Sequence, residues 1–194
     1  MFERSITDEK IKELPLERFP GEIIIIDRPE DVDPAINYLR QFDTIGFDTE
    51  TKPSFRKGKH NNLSLIQLST EDKAFLFRVN KIGFPDSLVS LLSDENIKKV
   101  GADVNSDLSQ MRRLRQFKPQ GFIDLQKYAK NFGIESLSLK KLAAIVLGIR
   151  ISKRQRLSNW ENPQLSEGQA LYAATDAWVS LMIYKKMKEE EEKK

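Results

Sequence analysis

Two carboxylates, Asp48 and Glu50, stand two residues apart at the end of the apolar stretch Ile45-Gly46-Phe47. Side chains of a β-strand alternate between the two faces of a sheet, so residues at i and i+2 project from the same face. Two like charges held this close repel each other unless one takes up a proton or a cation lies between them. Hard oxygen ligands prefer Mg²⁺ or Mn²⁺ to a softer metal. The pair therefore indicates a divalent-metal site, although taken alone it is also compatible with a solvated strand end or a helix cap.

Three further side chains are candidates to complete such a site. Asp107 lies in the first turn of a predicted helix, where the helix dipole alone would stabilise a carboxylate. Asp176 lies within an apolar-leaning run of the predicted C-terminal helix, where a charge needs a compensating partner. Tyr172 precedes it by four residues and therefore lies on the same face of the helix. A tyrosine of the core beside a hydrogen-bonded aspartate would have the same spacing. Because four carboxylates and a phenol come from a strand end, a helix start and a late helix, we expect them to meet in one place.

The composition limits the classes of site and of protein. The 194 residues, of which 39% are hydrophobic and 31% charged, fit one globular domain. There are no cysteines, which excludes disulfides, zinc–thiolate sites, iron–sulfur clusters and thiol nucleophiles, and leaves oxygen ligands or His60 for any metal. The charged start lacks the apolar core of a signal peptide, and no run approaches the roughly 18 apolar residues of a membrane span. We therefore expect a cytoplasmic or otherwise intracellular protein without a membrane partner.

Hydrophobic periodicity predicts an α/β fold with a mixed central β-sheet flanked by α-helices. Strands are expected at residues 23–26, around Asp48, in a hairpin of 63–69 and 74–79, and at 99–101. Helices are expected at residues 29–42, 86–92, from about 105, at 124–132, at 139–147 and from Ser166 onward. We divide the chain into an N-terminal arm (1–21), one domain (22–187) and a charged, solvated tail (188–194).

The candidate residues lie in motifs that resemble those of the DEDD exonucleases, specifically the DEDDy branch, which includes ribonuclease D-like enzymes and the exonuclease domain of the Werner syndrome protein. The three motifs are Gly46-Phe47-Asp48-Thr49-Glu50, Val104-Asn105-Ser106-Asp107 and Tyr172-Ala173-Ala174-Thr175-Asp176-Ala177. Two supporting segments are Leu65-Ile66-Gln67-Leu68 and the more Werner-like Arg156-Leu157-Ser158-Asn159-Trp160. The resemblance covers residues 22–187 and implies a ribonuclease H-like fold. One departure lies at the start of the second motif, where the family often has a small, hydrogen-bonding run such as His-Asn and this chain has Gly101-Ala102-Asp103-Val104-Asn105. Asp103 adds one more acid near the site, and no role is assigned to it.

The resemblance also implies a function: 3′-to-5′ exonucleolytic hydrolysis of the terminal phosphodiester of nucleic acid by a two-metal mechanism, releasing nucleoside 5′-monophosphates. In this mechanism Asp48 bridges two Mg²⁺ or Mn²⁺ ions. Glu50 and Asp176 complete the site of the ion that activates water, Asp107 holds the second ion, and Tyr172 orients the attacking water. The Werner-like segment favours DNA, with RNA 3′-end trimming as the alternative. A non-catalytic nucleic-acid-binding domain is a further alternative, which the presence of all five residues disfavours.

Two basic segments are expected to flank the site and to bind phosphates without reading sequence. The first contains Lys52, Arg56, Lys57 and Lys59, and the second contains Arg150, Lys153, Arg154 and Arg156. Trp160, Leu65 and Phe47 are predicted to stack or wedge against terminal bases, with core packing as the stronger interpretation for Phe47. His60 is interpreted as a loop residue near phosphate.

Overall fold

The described residues form a six-stranded mixed sheet with helices on both faces. The computed structural model describes residues 2–54 and 61–193. Its strands are β1 (Glu22–Ile26), β2 (Thr44–Thr51), β3 (Leu63–Ser69), β4 (Lys73–Phe77), β5 (Lys98–Gly101) and β6 (Phe122–Asp124). They are arranged in the order β1-β4-β3-β2-β5-β6, and β3 runs antiparallel to both of its neighbours. The remaining pairs are parallel, which confirms the mixed sheet predicted from the sequence.

The helices are α1 (Asp8–Glu13), α2 (Val32–Leu39), α3 (Val79–Ile82), α4 (Asp86–Leu92), α5 (Val104–Leu114), α6 (Leu125–Lys130), α7 (Leu139–Leu142) and α8 (Glu167–Glu192). A 3₁₀ turn at Pro29–Asp31 leads into α2, and a π-helical turn at Ala143–Leu147 follows α7. The 26-residue α8 begins with a capping box in which the Ser166 side chain and Gln169 bond reciprocally. In the described part of the chain, no helix is long and apolar enough to span a membrane.

Strand β2 presents two chemically different faces. Ile45 and Phe47 are fully buried and belong to the core formed with α2 and α4. Gly46, between them, lies on the opposite face beneath α8, where a Cβ atom would stand 1.9 Å from the carbonyl oxygen of Ala177. The lack of a side chain at Gly46 therefore allows the backbone of α8 to rest directly on the strand. This contact brings the middle of α8 next to the residues that follow Gly46.

Several element boundaries differ from the sequence predictions. The predicted helix of residues 29–42 is a 3₁₀ turn followed by α2, which ends at Leu39. The second hairpin strand ends at Phe77, because the next residues turn into α3. Strand β6 was missed, and the helix predicted from Asp124 begins at Leu125, with the Asp124 carboxylate capping it by accepting from the Gln126 backbone N–H at 2.9 Å.

The N-terminal arm is packed against the domain and contains α1, which the sequence analysis did not predict. Phe19 is buried at its end, and its backbone N–H donates to Thr175 Oγ1 in α8 at 3.0 Å. At the other terminus, α8 continues as a helix to Glu192, through most of the charged tail.

Candidate active site

Three of the predicted acids come together where α8 crosses β2. Asp48, Glu50 and Asp176 can each offer a carboxylate oxygen such that all three oxygens lie within 4.8 Å of one another. Asp176 is 7% exposed, and the two strand residues are half-buried. Three converging carboxylate oxygens are the donor set that a hard divalent cation prefers. The carboxylates of β2 and α8 therefore lie close enough to one another to bind a single ion.

Among the described residues, the positive charge near these acids does not balance their negative charge. Burial, followed by the charges of Asp48, Asp176 and Asp107, raises the pKa of Glu50 to about 10. Burial and the charge of Asp176 raise the pKa of Asp48 well above its usual range. Burial also raises the pKa of Asp176 to about 7, although a hydrogen bond from Tyr172 acts in the opposite direction. A bound divalent cation would supply the missing positive charge, so the residues present fit such an ion.

Asp107 lies beside this group, in the first turn of α5, with 9% exposure. Thr49, which separates the two acids of β2, donates its hydroxyl hydrogen to Asp107 Oδ1 at 2.5 Å. Burial and then the charge of Asp48 raise the pKa of Asp107 to about 8, whereas the Thr49 bond lowers it. The group of three oxygens within 4.8 Å does not include Asp107. Its carboxylate is therefore held by the strand and lies at the edge of the cluster.

Tyr172 lies one helical turn before Asp176, and its hydroxyl hydrogen-bonds with that carboxylate. Burial, and then the charges of Asp176, Glu50 and Asp48, raise the pKa of Tyr172 above its ordinary value. The hydroxyl therefore remains protonated at neutral pH and acts as a hydrogen-bond donor rather than as a base. Its ring packs against Trp160, with the ring centroids 6.0 Å apart.

The structure contradicts the predicted base-stacking roles of Phe47, Leu65 and Trp160. All three side chains are at most 1% exposed. Phe47 points into the α2 and α4 core, where it contacts the edge of Phe122 at a centroid distance of 5.1 Å. Leu65 and Trp160 pack with Ala173 in a cluster that supports Tyr172. Leu65 and Trp160 therefore support Tyr172 from within the core. None of the three side chains presents a surface to a base.

Of the predicted basic residues of the 150–163 segment, Lys153 and Arg156 are exposed and act on the acids, whereas Arg150 is half-buried and donates from Nε to the Leu14 carbonyl. The charge of Lys153 lowers the pKa of Asp176, and the charge of Arg156 lowers the pKa of Glu50. Arg154 is likewise exposed. The other predicted basic segment is described only at Lys52, which forms an ion pair of 2.9 Å with Glu161. Arg56, Lys57, Lys59 and His60 lie outside the described residues.

Two buried polar residues were missed by the sequence analysis. Arg78, at 1% exposure, donates to the backbone oxygens of Pro163 at 2.9 Å, Trp160 at 3.4 Å and Asn162. An arginine that directly follows the apolar strand Ala74-Phe75-Leu76-Phe77 was the available signal. The Arg78 side chain therefore attaches the turn that carries Trp160 to the sheet.

Gln67 is paired across the sheet with Asp48, is fully buried, and has no hydrogen-bond partner for either side-chain amide atom among the described residues.

Comparison with known proteins identifies the family. Residues 23–192 match a family model described as 3'-5' exonuclease. The chain belongs to this 3'-5' exonuclease family. Over 186 residues it is 37% identical to the bifunctional 3'-5' exonuclease/ATP-dependent helicase WRN of Mus musculus. This alignment covers 90% of the chain but only 13% of the mouse protein. Over 199 residues it is 29% identical to a 3'-5' exonuclease of Arabidopsis thaliana, covering 93% of the chain and 68% of that protein.

Solved structures agree with this family assignment. Escherichia coli RNase D has a TM-score of 0.79 and 27% identity, covering 88% of this chain and 46% of that one. The Aedes aegypti Nibbler EXO domain has a TM-score of 0.78 and 23% identity, and the match covers 89% of this chain and 91% of that domain. It shows that the two share a fold. The ribonuclease H-like fold and the exonuclease family predicted from the motifs are therefore confirmed. Membership in this family also identifies nucleic acid as the class of molecule on which the domain acts.

Proposed function

We propose that the protein is a metal-dependent 3′-to-5′ exonuclease that removes nucleoside 5′-monophosphates from the 3′ end of nucleic acid. The observation that carries this proposal is the convergence of Asp48, Glu50 and Asp176 within 4.8 Å of one another, beside the protonated Tyr172 hydroxyl. Family membership supports the reaction class. The relatives include proteins of which this chain spans only a small part, so the reaction assigned here is that of this chain alone.

The four acids would supply oxygen ligands for two divalent ions, Mg²⁺ or Mn²⁺: Glu50 and Asp176 would hold one, Asp107 would hold the other, and Asp48 would contribute to both. Bound ions of this kind make a water molecule nucleophilic near neutral pH and stabilise the attacking and leaving oxygens. Thr49 fixes the orientation of the Asp107 carboxylate by its 2.5 Å hydrogen bond. The number of ions is taken from the resemblance to the DEDDy exonucleases.

The other side chains orient the substrate and the attacking water. In the substrate complex, Tyr172 would redirect its one hydroxyl hydrogen from Asp176 to the attacking water. It would keep that proton, since burial and its acidic neighbours disfavour the phenolate. Lys153, Arg154 and Arg156 are exposed and would bind the phosphates of the strand. Contacts of this type fix register and orientation and carry no base information.

DNA is the proposed substrate, with RNA as the second candidate. The Ser158-Asn159-Trp160 segment, which resembles that of the Werner-type exonucleases, favours DNA. The 27% identity to E. coli RNase D, a protein described as an exoribonuclease involved in structured RNA processing, favours RNA. Discrimination depends on contacts with the 2′-hydroxyl.

The test uses matched DNA and RNA strands labelled at the 3′ or the 5′ end, incubated with Mg²⁺, Mn²⁺ or a chelator. We expect early release of the 3′ label as a mononucleotide, shortening of the 5′-labelled strand by single nucleotides, and no reaction with the chelator. The variants Asp48→Ala and Asp176→Ala should be inactive but folded. Asp33→Ala, which removes an exposed carboxylate of α2, is the matched control. Nuclease activity in the presence of the chelator, or in a variant that carries both Asp48→Ala and Asp176→Ala, would refute the proposal.

A further inference from the structure

A cavity of about 300 Å³ lies between the N-terminal arm, the 152–155 segment and the first turns of α8. Its lining includes Leu16, Arg18, Arg154, Gln155, Gly168 and Tyr172. This volume is at the lower end of the range of ligand pockets, roughly 300–1,000 Å³. The arm forms one wall of the cavity, yet it precedes residues 23–192, which match the family model. The cavity is therefore partly built by a segment that the exonuclease core does not include.

The arm is held in place by specific hydrogen bonds on both sides of the cavity. The Glu17 N–H donates to the Arg150 carbonyl at 3.0 Å, and the Arg150 N–H donates to the Pro15 carbonyl at 2.9 Å. The Arg150 side chain donates from Nε to the Leu14 carbonyl at 2.8 Å. Phe19 is anchored to α8 by its bond to Thr175. These bonds fix the arm relative to the basic 150–163 segment, so the wall is a defined part of the surface.

The chemistry of the lining matches a nucleotide. Arg18 and Arg154 are exposed cations that can bind a phosphate, and they outnumber Glu17, the one acid among the described lining residues. Leu16, which is 52% exposed, offers an apolar surface for a base or sugar. Tyr172 lines the cavity and also interacts with the acids of the site, so the cavity is adjacent to the acid cluster.

Among the described lining residues, none is one of the four site carboxylates. The phosphate of the bond to be broken must lie against those carboxylates. A nucleotide whose phosphate is bound by Arg18 and Arg154 in this cavity is therefore not the one that is attacked. In a strand that is shortened from its 3′ end, such a nucleotide lies upstream.

We propose that the N-terminal arm and the 152–155 segment form a subsite that binds an upstream nucleotide of the substrate strand. This inference rests on the proposed exonuclease function, because the strand is its occupant. The subsite gives the arm a role in holding the strand while Tyr172 and the acids act on its end.

Two variants test the subsite by different means. Arg18→Ala removes one phosphate-binding charge. Gly168→Leu narrows the cavity: Gly168 and Gln155 both line it, and a Cβ at position 168 would meet the flexible Gln155 amide at 3.1 Å. Lys12→Ala, an exposed cation of the same arm that does not line the cavity, is the charge-matched control. Circular dichroism melting verifies that each variant is folded.

The substrates are a ten-nucleotide single strand and the p-nitrophenyl ester of thymidine 5′-monophosphate, which contains one nucleotide and cannot reach the cavity. For both test variants we expect KM for the strand to rise about tenfold while kcat and KM for the ester stay unchanged. Arg18→Ala should also reduce the slope of log Kd against log salt by about 1, measured by fluorescence anisotropy with a chelator present. The control should resemble the wild type in each measurement.

The outcomes separate the subsite from the proposed activity. Unchanged strand KM and Kd in both variants, or an equal loss on strand and ester, would overturn the subsite. If the wild-type protein binds the strand without hydrolysing it, and the variants weaken that binding, the proposed activity fails and the subsite stands as a nucleic-acid-binding site.

Discussion

Replacement of Gly46 by alanine should displace α8 from β2 and separate the acids of the site. The added Cβ would stand 1.9 Å from the Ala177 carbonyl oxygen, whereas real Cβ atoms essentially never come closer than 3.0 Å to such a neighbour. The neighbour is helix backbone and cannot rotate away, so the helix must move by about 1 Å. Asp176 directly precedes Ala177 and moves with it. A misplacement of about 1 Å can reduce a rate by about 100-fold, and overpacking of this kind costs about 1–3 kcal/mol.

The assay compares Mn²⁺ affinity, kcat and the free energy of unfolding of Gly46→Ala with those of the wild type. Gly133→Ala is the control: Gly133 has a φ of 76° and nothing within 4 Å of an added Cβ, so this change introduces backbone strain without displacing α8. Both variants should be destabilised, by about 1–2 kcal/mol for the control. Only Gly46→Ala should also lose metal affinity and kcat. If it retains both, the position of Asp176 does not depend on the close contact between helix and strand.

Three further changes follow from the same geometry. Tyr172→Phe should slow hydrolysis by at least about tenfold with unchanged Mn²⁺ affinity, because it removes a hydrogen-bond donor and no metal ligand; an unaltered single-turnover rate would contradict its water-orienting role. Without metal, the melting temperature should fall as the pH rises from about 5 to about 9, since Glu50 and Asp107 retain protons in the folded state that the unfolded chain has released. Differential scanning calorimetry with and without Mg²⁺ measures this, and a metal-free melting temperature that rises over this range would show that the acids are not buried as described. Arg78→Met should leave three carbonyls without their donor and lower the free energy of unfolding by about 1–3 kcal/mol. It should also shift the fluorescence of Trp160, recorded in a Trp178→Phe background, to longer wavelength. An unchanged spectrum would show that Arg78 does not hold the Trp160 turn.

The parts of the site that were predictable are those set by backbone periodicity. The i, i+2 spacing of Asp48 and Glu50 places both on one face of a strand whatever surrounds it. The i, i+4 spacing of Tyr172 and Asp176 does the same on a helix. The family resemblance then indicated that strand and helix meet, and the close contact at Gly46 shows how.

The errors concern residues whose positions depend on long-range contacts. Trp160 lies in an irregular segment, and its burial follows from its packing against Tyr172 and from the Arg78 side chain, which is 82 residues away in sequence. No local pattern contains that information. The burial of Phe47 was, however, available from strand alternation, because it occupies the face opposite to Asp48. The docking of the N-terminal arm through Arg150 likewise joins segments more than 130 residues apart.

Metal binding and folding should be coupled in this protein because the same carboxylates determine both. Without metal, Glu50 and Asp107 are buried acids whose raised pKa values show that ionisation is unfavourable in the folded state. A cation that binds only the folded state stabilises it by about 2.7 kcal/mol at a concentration 100 times its Kd. This gain should increase with pH, since metal binding must displace the protons that the acids hold. The increase in melting temperature with Mg²⁺ concentration therefore measures the affinity of the site without any substrate, and it should disappear in Asp48→Ala.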